Sequence, residues 1–158
     1  MSFRIPQSLK TEHEELHAEL AQATKAGGRT GQAAQAVAQV MHVHFEKEEE
    51  YALPPLGLLA DLAHGKLEPG MSAVLTLTDK LEAELPAMLE EHKKIVAALK
   101  ALSDAATAED KLTYVRFAEK LAAHASGEEE VSYPAALLVG RYLKTVFARA
   151  KPDAVATP

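Results

Sequence analysis

Residues 44–54 read HFEKEEEYALP and residues 124–134 read HASGEEEVSYP. Each stretch opens on histidine, carries acids at +4, +5 and +6, and reaches proline at +10. On a helix, positions four apart share a face with their side chains about 6 Å apart, so His44 pairs with Glu48 and His124 with Glu128. The +5 position points about 140° away, which sends Glu49 and Glu129 to the flank. The stripes that carry the two His/Glu pairs are otherwise apolar: Val37, Val40 and Met41 precede His44, and Phe117 and Leu121 precede His124. The chain must therefore take two carboxylates into a helical core. An unpaired buried carboxylate costs several kcal/mol. No lysine or arginine lies on these stripes; Lys47 faces away and Arg116 is on the flank. A divalent cation is the simplest partner, with neutral imidazoles completing its coordination, and this donor set suits iron, manganese or zinc.

Two further histidines complete a pattern. Glu12-His13 opens EHEELHAEL and Glu91-His92 opens EHKKIVAAL. His13 and His44 are 31 residues apart, and His92 and His124 are 32 apart. A helix pair is thus repeated with nearly constant internal spacing, and such a repeat folds naturally about a pseudo-two-fold axis. The periodicity predicts helices from about Ser8, a plausible N-cap, to Lys25; from Gly31, capped by Thr30, to Leu53; from Ser72 to Ala105, with Pro86 as a kink or restart; and from Ala108 to Val131. A shorter helix follows over about 135–148, and a turn of helix is expected near 58–63 in the long connection. Composition agrees, since 30 Ala and 21 Leu outweigh 21 β-branched residues. The expected fold is all-α, an up-down four-helix bundle with an additional short C-terminal helix. Residues 1–150 should form one domain, with 151–158 a frayed tail.

With no cysteine, thiolate metal sites and disulfides are excluded. A net charge of −6 argues against nucleic acid and anionic membranes as partners. No apolar run is long enough to span a bilayer, and the first residues have no signal-peptide core, so the expected location is cytoplasmic. A ferritin-like carboxylate site needs Glu-x-x-His on two helices; the chain has one, Glu14 to His17. A single histidine on an apolar stripe is most often a hydrogen-bonded core residue, and an acidic run is most often a solvated face. The joint occurrence on four helices is what favours a metal site. Tyr51 and Tyr133 follow the acids and are placed either to donate to the site or, by default, to close the bundle end. His42 and His64 read as surface.

The combination of His13, His44-x-x-x-Glu48, His92 and His124-x-x-x-Glu128, spread over about residues 8–148, resembles the hemerythrin-like HHE cation-binding family. The resemblance implies a non-haem di-iron centre inside a four-helix bundle, with Glu48 and Glu128 bridging. It further assigns His13 and His44 to one iron and His92 and His124 to the other. Two departures matter. Oxygen carriers of this family place a fifth histidine one turn before the main one on the third helix, where this chain has Met88. They also end on His-x-x-x-x-Asp, where this chain has His-x-x-x-Glu. His17, one turn beyond His13, is offered as the missing fifth imidazole in the opposite half. The core is also similar to iron-centre repair proteins that respond to nitric oxide, but those carry a cysteine-bearing N-terminal module.

The expected function is that of a di-iron protein that binds dioxygen or a related small ligand, nitric oxide or peroxide, for sensing, storage or scavenging. The alternative is an enzyme that turns over peroxide or nitric oxide or assists iron-centre repair. Spare apolar side chains on the last helix leave room for a homodimer, with no feature that argues for one.

Overall fold

The computed structural model describes residues 3–149; the tail expected at 151–158 lies outside them. Helix α1 spans Gln7–Thr24 and α2 spans Gly28–Lys47. The connection that follows contains a short helix α3 (Leu59–Ala63) between two 3₁₀ segments. Helix α4 spans Leu75–Ala108, α5 spans Leu112–Gly127 and α6 spans Tyr133–Arg149. Three-residue links turn α1 into α2 and α4 into α5, so α1, α2, α4 and α5 form the expected all-α four-helix bundle. Helix α6 packs on α4, where Gly140 makes the approach possible: a Cβ there would lie 2.3 Å from Thr78 Oγ1.

Several boundaries differ from those the spacing predicts. Helix α1 is preceded by Pro6 with no side-chain cap, so Ser8 does not cap it. Helix α4 runs unbroken through Pro86, whose solvent-facing position lets the helix forgo one ladder bond. Helix α2 begins before Thr30, and its cap comes from the far link. The Glu109 carboxylate accepts from the backbone N–H of Arg29 (2.7 Å) and Thr30 (3.1 Å) and from Thr30 Oγ1 (2.6 Å). Lys111 Nζ donates to Ala26 O and to Glu109, which joins the two links. The hydroxyl of Thr30, the Lys111 ammonium and the two amides hold the Glu109 carboxyl down to about 2. A depressed carboxylate stabilises the fold fully above its unfolded value of 4.5 and loses that contribution as pH falls toward about 2. Glu109→Ala is therefore expected to lower the melting temperature at pH 7, with the gap to the parent closing between pH 4.5 and 2. A gap that stays constant over that range would show that the carboxylate's charge is not what caps α2.

Both acidic runs break α-helical geometry in the same way. Glu48–Ala52 and Glu128–Ser132 are π-helical, and in each the N–H of the following residue (Leu53, Tyr133) donates back to the glutamate carbonyl. A proline stands six residues after each glutamate, and it lacks the N–H that would continue the α ladder. Two prolines, Pro54 and Pro55, end the first helix. The single Pro134 falls in the first turn of α6, where its missing N–H costs nothing, so that chain continues.

The core has a polar waist. On one side of the histidines lie Leu16, Leu20, Val37, Phe45, Ile95, Leu99, Phe117 and Leu121. On the other lie Tyr51, Leu53, Leu81, Met88, Tyr133 and Ala136.

Candidate metal centre

The four stripe histidines and both glutamates are buried: His13, His44 and His92 at 1–2% exposure, His124 at 9%, Glu48 at 0% and Glu128 at 4%. Two groups emerge, His13/His124/Glu48/Glu128 and His44/His92/Glu48/Glu128, in each of which one donor atom per residue lies within 4.8 Å of all the others. Each carboxylate divides its oxygens between them. Glu48 Oε1 lies 2.9 Å from His44 Nε2, and its Oε2 lies 3.8 Å from His13 Nε2. Glu128 Oε1 lies 3.0 Å from His124 Nε2, and its Oε2 lies 3.5 Å from His92 Nε2. The two groups thus adjoin and have both carboxylates in common, and each could hold a cation.

The pairing differs from that implied by the family resemblance. His13 goes with His124 (ring centroids 5.0 Å apart) and His44 with His92 (4.5 Å), instead of His13 with His44. The pseudo-two-fold exchanges His13 with His92 and His44 with His124, so symmetry permits either pairing, and packing between the repeats selects this one.

Every histidine presents Nε2 to the centre because a carboxylate from another helix faces its Nδ1. His44 donates to Glu91 (2.8 Å), His92 to Glu129 (2.8 Å), and His124 Nδ1 lies 3.1 Å from Glu12. His13 Nδ1 lies 3.5 Å from Glu49. Such outer carboxylates fix the tautomer and raise ligand basicity. Spacing along a single helix places Glu49 and Glu129 on the flank and ties neither Glu12 nor Glu91 to the centre. The signal was present in the repeated Glu-His pair of the first and third helices and the doubled acids of the second and fourth.

Tyr133 enters the centre. Its hydroxyl donates to Glu48 Oε1 at 2.5 Å and lies 3.2 Å from His92 Nε2 and 3.4 Å from His44 Nε2. Burial and the charges of Glu48 and Glu128 push its pKa far up, so it stays a donor. Tyr51 instead turns to Met88 Sδ (3.6 Å), which stands at the fifth-histidine position of the carriers. His17 is in neither group. The buried stripe of α1 runs His13, Leu16, Leu20, Ala23, which leaves position 17 exposed, with its ring on Phe45 at 4.1 Å. Its repeat counterpart Val96 is exposed too, at 48%. The structure does not bring the fifth imidazole expected at position 17 to either group. His42 and His64 are exposed, as expected.

Burial opposes charge on these imidazoles, but the carboxylates facing them outweigh it. His92 is pushed up to about 10, chiefly by Glu128, Glu48 and Glu129, and His124 to about 9 by Glu128. The same close contacts, with His124, His13 and His92, overcome burial at Glu128 and hold it well below the usual carboxylate range. The imidazolium protons thus offset the buried carboxylates. They do so incompletely, because Glu48 Oε2, His124 Nε2 and His13 Nδ1 are buried without a hydrogen-bond partner. Each such orphan costs about 1–3 kcal/mol, and a cation in the first group would satisfy Glu48 Oε2 and His124 Nε2, while His13 Nδ1 faces outward to Glu49.

A model of the hemerythrin HHE cation-binding domain matches residues 4–136. The chain belongs to that family. Comparison with curated proteins and with solved structures returned no match. The HHE match ends at the first turn of α6, so the helix that delivers Tyr133 lies mostly beyond it. No helix among the described residues is long and apolar enough to cross a membrane.

Proposed function

We propose that this HHE domain holds two iron ions, one on His13 and His124 and one on His44 and His92, both sharing Glu48 and Glu128, and that it binds dioxygen or a related small ligand. The observation that carries this reading is the division of each carboxylate between the two histidine pairs. Iron, when bound, supplies the redox-active Lewis acid that such a ligand needs. Four protein donors per ion leave coordination positions free for a small molecule. The protein's own contribution is orientation: Glu12, Glu91 and Glu129 fix the imidazoles of His124, His44 and His92, and two apolar clusters pack on either side of the centre. Manganese or zinc would suit the same donors.

A second reading, turnover of peroxide or nitric oxide, is favoured by the Tyr133 hydroxyl, a hydrogen-bond donor placed inside the centre 3.2 Å from His92 Nε2. One preparation separates the two. Iron-loaded protein is expected to carry two irons per chain and, once reduced, to give a reversible charge-transfer band with dioxygen. Bleaching with consumption of peroxide would favour turnover. Zinc alone, with no redox response, would overturn both.

A further inference from the structure

The repeat makes the two halves of the centre comparable position by position, and one position breaks the equivalence. In the half around His44, the groove between α2 and α4 is filled. Lys47 Nζ bonds Glu91, and Tyr51 and Met88, at 1% and 0% exposure, close the space behind it. The counterparts between α1 and α5 are Gly127, Val131 and Leu9 beside Glu12. There the groove is open, with a volume of about 380 Å³, and His124 and Glu128 line it. His124 is accordingly the most exposed of the four histidines.

Gly127 has no conformational reason to be glycine. Its φ of −63° and ψ of −34° are helical, and a Cβ built on it meets nothing within 4 Å. Glycine at such a site is disfavoured relative to alanine. What it provides is the absence of a side chain over the groove. The groove is acidic as well: Glu12 and Glu128 line it, while the Lys120 ammonium is drawn away to Glu19 at 2.6 Å. The orphaned Nε2 of His124 sits behind this opening.

We propose that the α1/α5 groove is the path by which divalent cations reach the centre, and that the missing side chain at position 127 keeps it open. This rests on the metal-binding reading above. The chain has no cysteine, so Gly127→Cys gives a unique thiol that can carry either a methyl or a benzyl disulfide adduct. Zinc uptake by the metal-free protein, followed by stopped flow with a zinc indicator, is the readout. The benzyl adduct is expected to slow uptake by about tenfold or more relative to the methyl adduct, because it obstructs the path without touching a ligand. Reduction restores the rate, and the same adducts at Ser126, exposed and off the groove, change nothing. Gly127→Lys, which sets an ammonium beside Glu12 as Lys47 is set beside Glu91, is expected to slow uptake at unchanged stoichiometry. Equal rates for the two adducts, with two zinc ions bound per chain, would overturn the path and leave the metal-binding reading standing. No zinc uptake by the unsubstituted protein would overturn that reading, and the path with it.

Discussion

Glu48→Gln is expected to take the metal content from two ions per chain to none, although it alters one side chain by one atom. The reason is the sharing. A histidine serves one group, so its loss leaves three donors there and the other group whole. Glu48 gives Oε1 to the His44 side and Oε2 to the His13 side, so its loss strips both groups. The amide keeps the shape and can still accept from Tyr133, so helical content should be unchanged by circular dichroism while metal analysis falls to baseline. The double variants test the pairing directly. His13→Ala with His124→Ala leaves the His44/His92 group intact and should retain one metal; His13→Ala with His44→Ala damages both groups and should retain none. A Glu48→Gln protein that still binds two metals, or the reverse result for the double variants, would refute the shared-carboxylate arrangement.

The features legible in the sequence were those set by a single helix. The helical period put His44, Glu48, His124 and Glu128 on their stripes, and the 31- and 32-residue spacings placed His13 and His92 at the same level. What stayed hidden depends on neighbours. Glu91 stands one residue before His92 and about 100° round the helix from it, so nothing along α4 ties it to metal; it acts because α2 brings His44 Nδ1 to within 2.8 Å. Glu12, Glu49 and Glu129 are the same case. Tyr133 was ambiguous because the π turn at Glu128 adds a residue to the helical repeat, and a proline at a fixed offset signals a break without revealing whether the chain stops or continues. His17 lies outside both groups for a local reason: the buried stripe of α1 steps from His13 by three to Leu16, and the four-residue step falls on the flank.

Removing the metals is expected to lower the melting temperature by about 10–20 °C without unfolding the bundle. Binding at a hundredfold excess over Kd stabilises the folded state by about 2.7 kcal/mol per site. Two sites give about 5 kcal/mol, and each kcal/mol moves the midpoint by about 2–4 °C in a domain of this size. The metal-free fold should survive near neutral pH because the imidazoles take up protons in place of the cations. His92 titrates at about 10 and His124 at about 9, against 6.5 for the unfolded chain. For groups raised in this direction, the stabilisation is fully present below pH 6.5 and is lost as pH rises through about 9 to 10. Thermal melts with and without chelator should therefore diverge further at pH 9.5 than at pH 6.5, because the proton-held centre then leaves Glu48 and Glu128 buried with nothing to compensate them, while bound cations still compensate them and meet less competition from protons. Coincident melts with and without chelator at both pH values would mean that the carboxylates in the core are not compensated by metal, and that the protons alone hold the waist of the bundle together.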